Sequence, residues 1–292
     1  MQTIEFANGV RMPQEGFGVF QIPDAETSRV VRDALDCGYR MIDTVAAYMN
    51  EEGVGRGIRE SGVPRDDVFI TTKVWVQDTF EGAAYEAVDR SLSKLGTDYI
   101  DLVLLHQPMN DYHGAWRDLE KALDEGKVRA IGVANFYPHV LTDLCLSVDV
   151  PPMLDQVEIH SFFQQTSAID NMRSLGVVPQ AWGSFAEGKF GLFSDPVLSG
   201  IGQKYGKTAA QVALRWSVQR GVCVIPKSVH RERMEQNLNI WDFELSEEDM
   251  RAIASLDMGH SEIVDHFDPA FVRMLHGMRV HRSRGITCSL SG

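Results

Sequence analysis

Positive charge is scarce in this chain: 28 lysines and arginines face 41 aspartates and glutamates, for a formal net charge of −13. Such a surface repels a phosphate backbone, so a nucleic-acid partner is excluded, and any local basic cluster gains interest. Cysteine is equally sparse. Cys37, Cys145, Cys223 and Cys288 form no C-x-x-C pair and follow no regular spacing. With no signal peptide at the N-terminus, they read as reduced thiols of a cytoplasmic protein. No apolar run approaches the roughly 20 residues that a membrane span needs, which excludes a membrane helix. A dinucleotide fingerprint of the G-x-G-x-x-G type is also missing. The nearest candidate, GVGRG at 53–57, has the wrong spacing, does not follow a strand directly, and reads as part of a helix.

What is present is alternation. The segment TIEFANGVRMP carries an Asn8-Gly9 turn between short alternating runs, which predicts a β-hairpin cap ahead of the main fold. Apolar, Val- and Ile-rich runs then recur at 16–20, 40–45, 67–74, 100–106, 128–135, 153–159, 177–182 and 222–228. Runs apolar on both faces suit parallel strands covered by helices. Between them lie helical patterns at about 25–37, 51–61, 79–95, 114–125, from Pro138, 164–175, 208–220 and 231–239, most of them closed by glycine. A long loop is expected between the seventh strand and the helix 208–220. A last amphipathic helix starts at SEED, where Ser246 and Asp249 match a capping box. Alternation alone permits an open doubly wound sheet or a closed barrel. Eight units in about 230 residues without a linker favour a single α/β domain, a (β/α)8 TIM barrel, over residues 1–277. Residues 278–292 read as a polar, basic tail without clear period, expected as a mobile extension.

Sites of such barrels lie at the C-terminal ends of the strands. There the unusual polar residues collect: Asp43 closes the second strand with Tyr48 in its loop, and Lys73 closes the third. His106 closes the fourth, Asn135 the fifth, Trp182 the seventh and Lys227-Ser228 the eighth, while the sixth carries Gln156 and Glu158. Each has a plain alternative, a satisfied structural histidine or a solvated lysine; their convergence on one rim is the signal. A free phenol has a pKa of about 10, too weak an acid to protonate a carbonyl oxygen efficiently near neutrality. A lysine ammonium beside it favours the phenolate, and a shift to about 8 needs only roughly 2.7 kcal/mol. An aspartate behind the lysine holds it charged, and a neutral histidine orients the carbonyl. The set suits carbonyl reduction with Tyr48 as proton donor. No side chain supplies hydride, so a nicotinamide cofactor is implied. Barrels hold phosphate in the loops after strands seven and eight, where Lys227, Arg231 and Arg233 form a basic cluster suited to the 2′-phosphate of NADP(H).

The segments IDTVAAYMNEEGVG, VFITTKVW, DYIDLVLLHQP, GKVRAIGVANF, DQVEIH and VIPKSV resemble the aldo-keto reductase family in order and spacing, across about residues 4–275. The chain is similar to its bacterial 2,5-diketo-D-gluconate reductase-like members. The resemblance implies a barrel that binds NADP(H) without a Rossmann domain. It implies Tyr48 as general acid, tuned by Lys73 and Asp43, with His106 placing the carbonyl. It further implies Asn135 and Gln156 on the nicotinamide carboxamide, Trp182 stacked on its ring, and Lys227, Ser228, Arg233 and Asn237 around the adenosine phosphate. Phe20, Trp75 and His106 are the expected substrate contacts, with the segment Phe267–Leu275. The substrate is a small-molecule carbonyl compound, no metal is expected, and a monomer is the family's common state. Two rivals remain. A metal-dependent hydrolase on the same barrel needs grouped ligands, whereas the histidines other than His106 are scattered. A non-catalytic, cofactor-binding regulatory partner needs a large interaction surface, which the sequence does not display.

Overall fold

The structure, a computed structural model, describes residues 2–281. It opens with the expected hairpin: β1 (Thr3–Glu5) pairs antiparallel with β2 (Arg11–Pro13), Ile4 opposite Met12. Gly9 turns the chain at φ 83°, in the left-handed region that glycine enters freely. The side chains of Phe6 and Met12 are buried with Met41, Leu102, Leu104 and Leu154, so the hairpin plugs the bottom of the fold.

Eight parallel strands follow in sequential order: β3 (Phe17–Gly18), β4 (Met41–Asp43), β5 (Phe69–Val74), β6 (Leu102–Leu105), β7 (Ile131–Ala134), β8 (Leu154–Glu158), β9 (Val178–Trp182) and β10 (Cys223–Val224). The ends of the sheet also meet. Gly16 N–H donates to the Val224 carbonyl at 2.8 Å and Gly18 N–H to the Pro226 carbonyl at 3.2 Å, with Glu15 bridging Val224 in parallel. This selects the closed barrel over the open sheet.

Helices α1 (Asp24–Cys37), α2 (Glu51–Ser61), α3 (Ala83–Leu95), α4 (Tyr112–Asp124), α5 (Pro138–Ser147) and α6 (Thr166–Ser174) cover the first strands. The later ones are α7 (Pro196–Tyr205), α8 (Ala209–Gln219), α9 (Arg231–Leu238), α10 (Glu247–Ala254) and α11 (Pro269–Gly277). The segment GVGRG lies inside α2, as its spacing indicated. A Cβ on Gly55 would come within 2.0 Å of the Leu95 carbonyl oxygen, and one on Gly57 within 2.7 Å of that of Ser28. These glycines let α2 nest between α1 and α3. The capping box of Ser246 and Asp249 starts α10, each accepting from the other's backbone.

Three expectations need correction. The loop expected before residue 208 contains α7, started by Asp195, whose carboxylate accepts from Val197 N–H and Leu198 N–H, and by Pro196 in the first turn. Gly200 and Gly202 hid its periodicity. A further helix, α11, starts the same way at Asp268-Pro269. The beginning of the tail, expected as a mobile extension, is tied to the barrel. Trp75 Nε1 donates to the Met278 carbonyl at 3.1 Å, and His281 Nε2 lies 2.8 Å from Asp78 Oδ1. Its partners sit some 200 residues upstream, beyond the reach of local patterning; residues 282–292 of the expected tail lie outside the described residues.

At the start of the barrel, Glu15 is fully buried. Trp241 Nε1 donates to its Oε2 at 3.0 Å, and Oε1 has no partner among the described residues. Desolvation pushes its carboxyl up to about 8, against the bond from Trp241. A raised carboxyl binds its proton more tightly in the folded state, so its stabilisation is complete at low pH and is lost as pH rises through about 8. Urea unfolding of Glu15→Gln should therefore show a shallower decline between pH 5 and pH 9, the difference amounting to at most roughly 4 kcal/mol. Parallel curves would mean that Glu15 ionises as a solvated carboxylate does.

Candidate active site

The interior of the barrel mouth is organised by one dry ion pair. Asp43 at the end of β4 and Lys73 on β5 have side chains only 2% and 1% exposed, and Lys73 Nζ lies 2.6 Å from Asp43 Oδ1. The ammonium also donates to the Thr44 carbonyl at 3.1 Å. The second carboxylate oxygen accepts from Gln156 Nε2 on β8 at 2.9 Å, and Gln156 Nε2 reaches Gln180 Oε1 on β9 at 2.6 Å. Gln180 was not anticipated. Its signal was a lone amide in the middle of an apolar strand, VVPQAW.

Tyr48 sits in a short 3-10 turn, Ala46–Tyr48, just after this pair. The loop is pinned by Asn50, another unanticipated residue. Its Oδ1 accepts from Thr44 Oγ1 at 2.8 Å, and its Nδ2 donates to the carbonyls of Val19 and Ile22, each at 3.1 Å. The Tyr48 ring packs against Phe20, centroids 5.0 Å apart, and lies 6.0 Å from Lys73 Nζ. No protein group hydrogen-bonds its hydroxyl among the described residues.

The electrostatics differ from the expected tuning. Burial pushes the Tyr48 phenol well above its ordinary range, and the charges of Asp43 and Glu187 push the same way. The expected lowering by lysine is absent because the Lys73 charge is spent on Asp43; burial even draws the ammonium below its usual range, with Asp43 opposing. In the free protein Tyr48 therefore holds its proton.

His106 follows β6, its N–H bonded to the Val74 carbonyl at 3.1 Å and its ring edge-on to Trp75 at 5.1 Å. Burial, then Lys73 and His266, hold it far below its usual range, so the imidazole is neutral; its Nδ1 is buried without a partner among the described residues. Trp75 is buried, whereas Phe20 is 43% exposed. The two expected substrate aromatics thus flank His106 and Tyr48 respectively.

Asn135 stands after β7 in the left-handed conformation, φ 62°, which asparagine tolerates better than most residues. Its Nδ2 donates to the His106 carbonyl at 3.1 Å, and its Oδ1 accepts from Trp182 Nε1 at 2.8 Å. Asn135, Gln156 and Trp182 are thereby brought together, with their amide donors already engaged by protein groups.

The expected phosphate residues lie beyond β10, where the barrel closes against β3. Lys227 and Ser228 fall in the loop after the short β10; Arg233 is exposed and Asn237 buried, both on α9. Arg231 leaves the expected cluster: it lies 3.1 Å from Glu235 and 3.8 Å from Asp36. Lys227 and Arg233 make no ion pair among the described residues. Ser228 Oγ accepts from His230 N–H at 3.1 Å, shaping the turn into α9. In the loop after β9, Ser184 Oγ is buried without a partner among the described residues. Two uncommitted cations, a helix N-terminus and an orphaned hydroxyl fit a phosphorylated dinucleotide.

Known proteins share much of this sequence and its fold. The chain is 47% identical over 253 residues to the 9,11-endoperoxide prostaglandin H2 reductase of Trypanosoma cruzi, covering 86% of this chain and 89% of that one. It is 45% identical over 257 residues to the glyoxal reductase of Bacillus subtilis, covering 87% and 92%. The crystal structure of a Bombyx mori aldo-keto reductase in complex with NADP superposes with a TM-score of 0.86 at 32% identity, covering 91% of this chain and 95% of that one. Residues 14–258, from the first barrel strand past α10, match the sequence model of the Aldo/keto reductase family, and the chain belongs to that family.

Proposed function

We propose that this protein reduces aldehydes or ketones to alcohols with NADPH, with Tyr48 as general acid, His106 as carbonyl-orienting group, and Lys73 and Asp43 as the charged support of the phenol. The observation that carries the reading is the buried Asp43–Lys73 pair set beside a protonated phenol and a neutral imidazole at one barrel mouth. The bound nicotinamide would supply hydride to the carbonyl carbon. The carbonyl oxygen takes its proton from the Tyr48 hydroxyl, which no protein group among the described residues competes for. His106, being neutral, can donate a hydrogen bond to that oxygen without carrying a charge that water would have to solvate. As the phenol gives up its proton, the Lys73 ammonium, paired with Asp43, offsets the carboxylate that opposes the phenolate, and water restores the proton.

Trp182, Asn135 and Gln156 would hold the nicotinamide, and Lys227, Ser228, Arg233 and Asn237 the adenosine phosphate. Reductase relatives and a family neighbour solved with NADP support both halves of the reading. NADP(H) carries its extra phosphate, on the adenosine ribose, largely as a dianion near neutral pH, a charge suited to lysine and arginine side chains.

The test is oxidation of NADPH and NADH with a panel of aldehydes, α-dicarbonyls and sugar ketones. The parent should turn over with NADPH. In Lys227→Ala/Arg233→Ala, the KM for NADPH should rise by roughly 100-fold, the loss of two charge-assisted contacts, while the KM for NADH changes little. Equal effects on both cofactors would remove the phosphate assignment. Tight NADPH binding with no turnover on any carbonyl would favour a non-catalytic role.

A further inference from the structure

A second tyrosine–histidine pair stands at the same mouth and is not used by the reduction. Tyr137, two residues beyond Asn135, places its hydroxyl 3.2 Å from His266 Nδ1. Both residues are half-buried. Their rings pack at 5.5 Å, and His266 packs edge-on against Phe271 at 5.4 Å. Phe271 in turn lies on the Trp75–Val76–Leu275 cluster, and Trp75 touches His106. His266 thus closes a ladder of rings that leads back to the carbonyl-orienting histidine, and it lies near enough to His106 to act on its titration.

Hydrogen counting shows what the pair can offer. Burial lowers His266, so its imidazole is neutral and carries one N–H. Tyr137 carries one O–H, pushed above its ordinary range by burial. The bond between them uses one of these two hydrogens; Gln165, which also acts on the Tyr137 hydroxyl, favours the phenolate and so acts as a donor that consumes neither. Whichever tautomer is present, one donor is left over. Glu158 and Asp265 are the charged groups that act on His266, and Glu158, Asp155 and Asp265 all act on Tyr137. Glu158 and Asp265 give the pair negative surroundings, which disfavours an anionic partner; Asp155, its carboxyl raised well above the usual range by burial, adds no charge while protonated.

We infer that Tyr137 and His266 form a specificity site that donates a hydrogen bond to a second, uncharged acceptor oxygen of the substrate, so that carbonyl compounds bearing a neighbouring carbonyl or hydroxyl are selected over simple aldehydes and over oxo acids. This rests on the carbonyl-reductase reading and names the substrate class within it. A site built to hydrogen-bond a substrate oxygen discriminates against the analogue that lacks it, because the donor is then left unpaired.

The test compares methylglyoxal, propanal and glyoxylate, which share a reacting aldehyde and differ in the neighbouring group. His266→Phe keeps the ring packing and removes the nitrogens; Tyr137→Phe removes the hydroxyl. Each should lower kcat/KM for methylglyoxal by roughly tenfold, the worth of one neutral hydrogen bond, and leave kcat/KM for propanal within about twofold. Equal losses on both substrates, or no loss on either, would overturn the assignment as a specificity site. A parent that prefers glyoxylate to methylglyoxal, with the preference abolished in His266→Phe, would overturn its selectivity for uncharged oxygens. Thermal melting of both variants, expected to match the parent, separates lost recognition from lost folding. A parent that reduces propanal but fails these comparisons leaves the reductase reading intact; one that reduces none of the three aldehydes and no other carbonyl of the panel removes the reading itself, and this assignment with it.

Discussion

Replacing Tyr48 with phenylalanine should lower kcat for carbonyl reduction by roughly two to four orders of magnitude, the usual worth of a positioned general acid. Folding should be unaffected. The hydroxyl has no protein partner to lose among the described residues, and the ring contact with Phe20 survives the change. NADPH affinity, read by tryptophan fluorescence, should also persist, since the phenol is not part of the phosphate site. Equal turnover in parent and variant would sink the acid role.

The pH profile gives a second readout from the same residue. A general acid works while it is protonated, and Tyr48 is raised by burial, Asp43 and Glu187. The kcat/KM of the parent, which reports the free enzyme, should therefore show no loss from Tyr48 ionisation at or below the ordinary tyrosine pKa of about 10. A lysine-lowered phenol would instead impose a decline above about pH 8. The two electrostatic pictures are thus separable by one titration.

Lys73→Met should destabilise the protein by about 3–5 kcal/mol, because it leaves the Asp43 carboxylate buried with only the Gln156 amide as a side-chain donor among the described residues. The side chains are of similar length, so little of the loss comes from a cavity. Removing the carboxylate as well, in Asp43→Asn/Lys73→Met, should restore most of the lost stability without restoring activity. Denaturant unfolding of the parent, both single variants and the double variant measures the coupling. A cost under about 1 kcal/mol for Lys73→Met would mean that the pair is hydrated, as a surface ion pair would be.

Much of the architecture was legible because its causes are local. Strands apolar on both faces, glycines after the helices, the Asn8-Gly9 turn and the Ser246–Asp249 box each report the backbone around them. The helices α7 and α11 were legible in principle from Asp195-Pro196 and Asp268-Pro269, yet Gly200 and Gly202 broke the pattern of the first. Gly202 is there because the Lys207 carbonyl would come within 2.4 Å of a Cβ, a contact that only folding creates.

The candidate residues divide in the same way. Strand order and the rule that barrel chemistry lies at the C-terminal strand ends were enough to bring Asp43, Tyr48, Lys73 and His106 to one rim from sequence. Their ionisation was not decided there. Tyr48 is raised rather than lowered because desolvation depends on what surrounds the phenol, and because Lys73 is already paired with Asp43. Arg231 and Arg233 are near neighbours in an even run of charges, but Asp36 on α1 and Glu235 engage only the former, leaving Arg233 without an ion pair among the described residues.

The sequence by itself thus determined the alternation, the barrel and the identity of the polar residues at its mouth, since periodicity, capping and turn chemistry act within a few positions of the chain. Only the tertiary structure decided which charges are spent on one another, where the segment 278–281 is tied, and that Tyr137 meets His266, 129 positions away. Those outcomes depend on burial and on Coulomb interactions across the fold, and both are set by distances in space.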